Sequence, residues 1–262
     1  MVLNNDINVR ICIIIPVYNE ENILKDSLET ILKYTRDLQH IVEIVVVNDG
    51  SRDSSKIIVQ QIAAREYPSK LILISHQINK GYGAALNTGI NYALSHKYDY
   101  VLFMDSDLTN HPKYINVFID KMCDGYDYIK ATRYGKGGTV TGVSWESRSF
   151  SIVGNYIAKY LYKLPLTDLT NGFRAVNLNI FKQMHLKESG FAIIMEELYY
   201  AKFITDSFCE VPYELTVRSR EQGKSKFSYN LSTCIKYLKY SFNSYFKHMY
   251  KKYFNLNIKH TI

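Results

Sequence analysis

The sequence predicts an α/β protein in which a mostly parallel β-sheet carries helices on both faces. Short β-branched apolar runs alternate along the chain with longer segments whose apolar residues recur at helical spacing. The first run, residues 10–17, is apolar almost throughout, as expected of a strand buried on both sides. Polar clusters follow three of these runs, at the carboxyl ends where parallel sheets bind ligands.

The individual elements follow from the same periodicities. In the first half, strands are predicted over 10–17, 41–47, 71–75, 100–104 and 127–132, and helices over 20–36, 53–66, 81–96 and after Pro112. In the second half, we predict a glycine-rich loop over 133–150, helices over 149–163 and 193–204, a turn over 167–173, a strand over 208–217 and a polar loop over 218–227. A long amphipathic helix is predicted over 229–254. We therefore divide the chain into an α/β domain, 1–228, and a basic, aromatic helix with its tail, 229–262.

Two carboxylates, Asp105 and Asp107, stand one residue apart after the fourth predicted strand. Carboxylate oxygens are ligands that Mg²⁺ and Mn²⁺ prefer, and such ions hold diphosphates through the phosphate oxygens. The pattern therefore indicates a metal and diphosphate site. The alternative is helix capping by Asp107 or Thr109 before the helix entered at Pro112.

A second polar cluster, Asp49-Gly50-Ser51, follows the second predicted strand. A carboxylate there is placed to accept an N–H from a nucleotide base, and a plain turn with a helix cap is the alternative. Because a strand end lies outside the core, we predict that replacing Asp49 weakens nucleotide binding and spares the fold. Gly81 and Gly83 open the third helix, where the backbone can approach a phosphate.

The positive charge of the chain lies at its carboxyl end. The net charge is +7, yet residues 1–221 carry 24 basic against 25 acidic residues, and residues 222–262 contain eight lysines and no acidic residue. An apolar stripe at helical spacing runs between lysines 236, 239, 247 and 251 on one side and Lys252 on the other: Ile235, Leu238, Phe242, Tyr245, Phe246, Met249 and Tyr253.

This stripe predicts a helix that lies on an anionic membrane surface, and packing of the stripe on the core is the alternative. No run approaches the ~18 apolar residues of a spanning helix, so a peripheral location is expected. The tyrosines recur at helical spacing and do not form an exposed stacking platform, so no nucleic-acid partner is expected.

Together these segments resemble the family-two inverting glycosyltransferases of the GT-A fold, whose sheet is Rossmann-like. The resemblance is to the dolichol-phosphate mannosyltransferase group in particular. It covers roughly residues 10–228 and includes IIPVYNEEN (14–22), VVVNDGSRDSS (45–55), NKGYGAALNTGI (79–90), VLFMDSDLTNHPKYI (101–115), ATRYGKGG (131–138) and TDLTNGFRA (167–175).

The resemblance implies inverting transfer of a sugar from a nucleotide sugar, such as GDP-mannose or UDP-glucose, to a polyprenyl phosphate at the cytoplasmic side of a membrane. It places Pro16, Tyr18, Glu20, Asp49, Lys80 and Gly81 at the donor nucleotide, and Asp105, Asp107 and Thr109 at Mg²⁺ or Mn²⁺. Asp105, Asp107 and Arg133 would be catalytic, and Arg133, Arg148, Ser151, Arg220 and Lys226 would bind phosphates. A small membrane subunit is a further candidate partner.

Three positions depart from the pattern of that group. Thr109 stands where Gln is common, and Asn48 replaces the first Asp of the usual Asp-Asp-Gly-Ser. Within residues 147–153, Ile152 occupies a position that is usually basic. The first two departures concern the donor side, and the third concerns the acceptor side.

Two other functions fit the same residues. One is transfer to a hydroxyl of a glycan or protein, which needs a general base that Glu196 or Glu197 would supply. The other is a non-catalytic subunit that binds a nucleotide sugar or tethers partners at a membrane. Arg174 and Glu196 also lie in matching segments, either as functional residues or as a structural ion pair.

Overall fold

The fold is built on one seven-stranded sheet. A computed structural model describes residues 8–65, 71–143, 145–216 and 231–254. The strands are β1 (Arg10–Val17), β2 (Ile41–Asn48), β3 (Leu71–Ser75), β4 (Tyr100–Phe103), β5 (Tyr128–Thr132), β6 (Thr139–Val140), β7 (Arg174–Asn177), β8 (Phe208–Pro212) and β9 (Glu214–Leu215). The helices are α1 (Glu21–Thr35), α2 (Ser55–Arg65), α3 (Tyr82–Ser95), α4 (Ile115–Cys123), α5 (Trp145–Tyr162), α6 (Leu178–Phe181), α7 (Ile193–Ile204) and α8 (Leu231–Phe254).

The strand order is β3-β2-β1-β4-β7-β5-β8, and β6 pairs with β9 in a separate small sheet. All pairs in the large sheet are parallel except those of β7, which runs antiparallel to both β4 and β5. The predicted mostly parallel sheet is confirmed. The four-residue β7 was not predicted, because it is too short to display a strand period.

Helices cover both faces of the sheet, so β1 is buried on each side. Ile11, Ile13 and Ile15 pack into a core with α1, α2 and α4. The alternate residues, Cys12 and Ile14, pack into a second core with α3, α5 and α7. Successive strand residues point to opposite faces, which is why β1 is apolar without alternation.

The second half of the chain differs most from prediction. The predicted strand 208–217 is two strands, because at Tyr213 the chain leaves β5 and continues beside β6. The predicted loop 133–150 contains β6 and the first turns of α5. The domain boundary at residue 228 lies outside the described residues.

One lysine is fully buried in the sheet, on β5, the strand next to the edge strand β8. Lys130 lies on β5 opposite Arg174 of β7, and its Nζ donates to the Asn171 carbonyl at 2.6 Å. Burial, and secondarily repulsion by Arg174, lowers the pKa of Lys130 to about 7. The amine therefore gains a proton when the chain unfolds at mildly alkaline pH.

This shift predicts a specific pH dependence of stability. Lysine in an unfolded chain has a pKa of about 10.4, so above pH 7 the unfolded state binds more protons and the free energy of unfolding rises with pH. The Lys130 contribution is at most about 1.4 kcal/mol per pH unit. Urea unfolding of wild type and Lys130→Met between pH 7 and 8.5 should show the steeper rise in the wild type. Equal slopes would contradict the buried, neutral lysine.

Candidate active site

The carboxyl ends of β1, β2 and β4 meet around a pocket of about 310 Å³. Its wall contains predicted residues from four segments: Pro16, Tyr18, Glu20, Asp49, Gly81, Asp105 and Asp107. Lys80 is exposed and lies outside this wall, although its backbone N–H donates to Asp49. The structure thus brings the predicted donor residues together, with the Lys80 side chain as the exception. We refer to this cavity as the donor pocket.

Asp49 is buried and organises one wall of the donor pocket. Its carboxylate accepts the backbone N–H groups of Lys80 at 2.9 Å and Gly81 at 2.8 Å, and contacts His76 Nδ1 at 2.6 Å. His76 Nε2 in turn lies 2.8 Å from the Thr88 hydroxyl of α3. Asp49 therefore holds a loop as well as facing the pocket, so the premise that it lies outside the core is wrong. Whether its replacement spares the fold stays a prediction. No sequence spacing marked His76 as its partner.

The two carboxylates after β4 are each oriented by a nearby side chain. Asp105 Oδ2 accepts from Asn110 Nδ2 at 2.9 Å. Asp107 Oδ1 accepts the hydroxyl of Thr109 at 2.7 Å and its backbone N–H at 3.1 Å. The Thr109 hydroxyl thus orients Asp107. Its predicted role as a metal ligand stays a prediction.

The donor set at this edge suits a divalent cation that is shared with a substrate. Asp105 and Asp107 supply hard oxygen ligands, as Mg²⁺ and Mn²⁺ prefer. Within the described ranges, no three His, Cys, Asp or Glu side chains converge to form a complete cage. Mg²⁺ in particular is usually held by one or two carboxylates together with substrate phosphates.

A second cavity, of about 360 Å³, opens beside the donor pocket and lies among α5, α7 and α8. We call it the apolar cavity, because aliphatic and aromatic side chains form most of its wall: Phe150, Val153, Ile157, Ile194, Met195 and Leu238 among them. It shares Tyr82, Asp105 and Phe191 with the donor pocket. The two cavities therefore meet at one of the predicted metal ligands.

Arg133 and Ser151 bring polar groups to the apolar cavity. Arg133 forms a bidentate pair with the buried Asp168, with Nε–Oδ2 at 2.6 Å and Nη2–Oδ1 at 2.8 Å. Ser151 is buried, and its hydroxyl has no hydrogen-bond partner among the described residues. A buried hydroxyl is normally paired, so the unpaired Ser151 hydroxyl is an exception in this wall.

Of the other predicted phosphate-binding residues, the structure describes Arg148 alone. The Arg148 side chain is exposed and is not part of the wall of either cavity. Arg220 and Lys226 lie outside the described residues. Their predicted roles stay predictions.

The glutamates considered as general bases have other contacts. Glu197, not Glu196, pairs with Arg174 in a fully buried ion pair that joins Nε and Nη2 to both carboxylate oxygens. Glu196 accepts the backbone N–H groups of Lys187 and Glu188 at 2.9 and 2.8 Å. Neither glutamate is part of the described wall of the donor pocket or of the apolar cavity, and the contacts of both are within the fold.

Helix α8 is fixed to the wall that the two cavities share. Lys236 pairs with Glu188 at 2.8 Å, and the Tyr240 hydroxyl donates to the same carboxylate at 3.1 Å. The Tyr237 hydroxyl donates to the Phe191 carbonyl at 3.2 Å. The predicted helix is therefore docked on the domain through one face.

The opposite face of α8 is exposed and continues onto α5. Among the described residues, twelve of 17 exposed large apolar side chains lie on these two helices: Trp145, Phe150, Ile152, Val153, Tyr156, Ile157, Tyr160, Ile235, Leu238, Phe242, Phe246 and Tyr250. We call this surface the α5–α8 face. Phe150, Val153, Ile157 and Leu238 also line the apolar cavity, so the face and the cavity are continuous. Within the described helices, none is long and apolar enough to cross a bilayer.

The sheet order, the pocket at the carboxyl ends and the paired carboxylates define a glycosyltransferase of the GT-A fold. The family model for glycosyl transferase family 2 matches residues 12–184, and the chain belongs to that family.

Relatives and solved structures agree with this assignment. The chain is 28% identical over 222 residues to polyprenol monophosphomannose synthase of Mycolicibacterium smegmatis. These residues cover 84% of this chain and 81% of the relative. It is 30% identical over 222 residues to dolichol-phosphate mannosyltransferase of Pyrococcus furiosus, covering 83% of this chain and 60% of the relative.

Among solved structures, glucosyl-3-phosphoglycerate synthase of Mycobacterium tuberculosis with Mn²⁺, UDP and glucosyl-3-phosphoglycerate has a TM-score of 0.63 at 16% identity, covering 90% of this chain and 80% of that one. The same enzyme with Mg²⁺ and UDP has a TM-score of 0.62 at 17% identity, covering 90% and 79%. At this identity the likeness shows the fold alone.

Proposed function

We propose that this protein transfers a hexose, with inversion, from a nucleoside diphosphate sugar to a polyprenyl phosphate at a membrane surface. One observation carries the proposal: an apolar cavity reaches the Asp105 carboxylate and has Arg133 and Ser151 in its wall. Such a cavity suits a ligand with a hydrocarbon chain and an anionic head. The names of both relatives point to the same class of acceptor.

Among the described residues, no glutamate lines the apolar cavity as a candidate base, which favours a phosphate acceptor over a hydroxyl. Asp105 is the single carboxylate in the described wall of the apolar cavity, and it accepts from Asn110 and faces the donor side as well. Glu196 and Glu197 are occupied elsewhere. A phosphate is already ionised at neutral pH and needs no general base, whereas a hydroxyl does.

In the proposed reaction, an acceptor phosphate oxygen forms a bond to the anomeric carbon while the bond from that carbon to the diphosphate breaks on the opposite side. Asp105 and Asp107 would hold Mg²⁺ or Mn²⁺, which would neutralise negative charge on the leaving diphosphate. Asn110 and Thr109 keep these carboxylates in place. Arg133, fixed by Asp168, would orient the acceptor phosphate.

The α5–α8 face would rest on an anionic membrane and admit the lipid to the apolar cavity. Lys159, Lys163 and Lys239 are exposed on these helices or at their ends. Lys236 instead pairs with Glu188, and the Lys247 Nζ lies 4.5 Å from the Phe203 ring centroid. These two lysines therefore contact the α/β domain. We place the surface on the cytoplasmic side, because all four cysteines are free thiols.

The acceptor comparison tests this proposal. Wild-type protein is incubated with Mn²⁺ in detergent, with GDP-mannose or UDP-glucose as donor. The acceptor is either a short polyprenyl phosphate or the matching polyprenol. We expect transfer to the phosphate and essentially none to the alcohol. Equal rates on both lipids would favour a hydroxyl-glycosylating enzyme, and no transfer with any acceptor would favour the non-catalytic alternative.

The membrane surface yields its own prediction. Phe242→Ser combined with Phe246→Ser should release the protein from vesicles that contain anionic lipid, because both rings are exposed on the α5–α8 face. Each ring contributes about 1.5–3 kcal/mol when fully buried in the interface, so the loss of binding should exceed tenfold. Vesicle sedimentation at low salt measures this loss.

The matched control is Ile57→Ser, which removes an exposed apolar side chain from α2, on the other side of the molecule. Its vesicle binding should equal that of the wild type. If the double variant sediments with vesicles as the wild type does, the α5–α8 face does not contact the membrane.

A further inference from the structure

A histidine that the proposed reaction does not use lies behind the wall of the donor pocket. His76 directly follows β3, and its backbone N–H donates to the Asn48 carbonyl at 2.9 Å. Its ring lies between the end of β2 and α3, where Nδ1 is 2.6 Å from Asp49 Oδ1 and Nε2 is 2.8 Å from the Thr88 hydroxyl. The side chains of His76 and Asp49 are only 7% and 4% exposed, so little water competes for these contacts.

The hydrogen-bond partners of the ring point to its charge. The Thr88 hydroxyl carries one proton and donates it to the Ala84 carbonyl at 3.1 Å, which leaves the hydroxyl oxygen to accept from His76 Nε2. An ionised carboxylate is an acceptor only, so Nδ1 donates to Asp49. Both ring nitrogens are donors only in the imidazolium form, which is the form that satisfies each of these contacts.

Asp49 connects this ring to the wall of the donor pocket. Its carboxylate accepts the backbone N–H groups of Lys80 at 2.9 Å and Gly81 at 2.8 Å, and Gly81 lines the pocket. The same loop lies against Gly50, where a Cβ would stand 2.4 Å from the carbonyl carbon of Ile78. A rotation of the Asp49 carboxylate would therefore release the loop from the turn after β2 and change the shape of the pocket.

A positive charge behind Asp49 also suits the proposed ligand. The described wall of the donor pocket contains four carboxylates, those of Glu20, Asp49, Asp105 and Asp107, and no basic side chain. These carboxylates would repel a diphosphate unless cations offset their charge. The proposed metal would serve Asp105 and Asp107, and an imidazolium serves Asp49.

We infer that His76 is a positioning residue for donor binding: as an imidazolium it fixes and neutralises Asp49, and through Asp49 it holds the loop that forms one side of the donor pocket. The inference rests on the proposed function and deepens it. His76 is not part of the described wall of either cavity, so it acts through Asp49 and does not touch the donor. Its replacement should weaken donor binding and spare the rate at saturating donor, as when uniform binding is removed.

Two amide replacements separate the two ends of the ring. In His76→Asn the amide nitrogen takes the place of Nδ1 and can still donate to Asp49, whereas in His76→Gln it takes the place of Nε2 and can reach only Thr88. Calorimetry with Mn²⁺ measures the binding of UDP and GDP. For the diphosphate that the wild type binds, we expect a loss of about 10- to 150-fold in His76→Gln, as for a charged hydrogen bond, and of about 2- to 10-fold in His76→Asn.

His185→Gln is the matched control, because it replaces an exposed histidine outside both cavity walls, and its affinity should equal that of the wild type. Transfer rates at saturating donor should stay within about twofold of the wild type in all three variants. Equal affinities of His76→Asn and His76→Gln, or a larger loss of rate at saturating donor, would overturn the positioning role.

The charge of the ring is tested without any variant. In ¹⁵N NMR of the wild type at pH 7, we expect both ring nitrogens of His76 to carry a proton. A neutral His76 ring would overturn the inference and leave the proposed function untouched. A wild-type protein that binds neither UDP nor GDP would instead overturn the proposed function, and the inference with it.

Discussion

Replacing Asp107 by Asn should reduce sugar transfer on the order of 10²–10³-fold, the loss typical when one group that stabilises developing negative charge is removed. Asp107 faces the donor pocket and is oriented by Thr109, so it is a preorganised partner for the metal and diphosphate. Asp105→Asn should be impaired to a similar degree. Initial rates at saturating Mn²⁺, and in excess EDTA, measure the effect.

Asp120→Asn is the matched control, because it removes an exposed carboxylate of α4, far from either cavity wall. Its rate should equal that of the wild type. Undiminished transfer in excess EDTA would mean that no metal is required, and undiminished transfer by Asp107→Asn would mean that this carboxylate is not.

Arg133→Ala should damage both stability and transfer. It leaves the buried Asp168 carboxylate without its bidentate partner, which costs about 3–5 kcal/mol when a buried pair is broken. It would also remove the proposed charged contact to the acceptor phosphate, worth about 10- to 150-fold in rate. Urea unfolding and transfer assays measure the two effects separately.

A second substitution separates the two roles of Arg133. In Arg133→Ala combined with Asp168→Asn, no buried charge is left uncompensated, and the amide oxygen can still accept the backbone N–H of residue 133. We expect most of the stability to return while transfer stays impaired. Recovery of transfer together with stability would make Arg133 purely structural.

The parts of the fold that were predictable are those with a strong local period. The strands β1 to β5 and the helix α7 lie close to their predicted bounds, because apolar residues at strand or helix spacing continue through each of them. The position of Asp105 and Asp107 followed as well, since the carboxyl ends of parallel strands share one edge of a sheet.

The partners of polar side chains were not predictable, because they depend on tertiary contacts. Adjacent residues on a helix point about 100° apart. Which of Glu196 and Glu197 faces Arg174 therefore depends on how the helix is rotated against the sheet. Residue spacing does not show this rotation, so Glu197 could not be chosen over Glu196. Likewise, neither the bond from Thr109 to Asp107 nor the role of Asp49 in holding residues 80 and 81 has a signature in residue spacing.

Helix α8 illustrates the same limit. The prediction of an exposed apolar face and the alternative of packing on the domain each describe one side of the helix. Ser241 and Ser244 are buried against the domain, while Phe242 and Phe246 are exposed on the other side. The α5 half of the exposed face was missed, although most of it lies within the predicted helix 149–163. Apolar residues at helical spacing do not show whether they pack on the core or stay exposed.

The central claim is that the chain moves a sugar onto a polyprenyl phosphate. Mass spectrometry of the lipid fraction tests it most directly, after incubation of the full-length protein with Mn²⁺, a short polyprenyl phosphate and either GDP-mannose or UDP-glucose. We expect a lipid heavier than the acceptor by one anhydrohexose unit, an equal amount of released nucleoside diphosphate, and no such lipid with Asp107→Asn. An unchanged lipid with both donors, while another acceptor is glycosylated, would contradict the account.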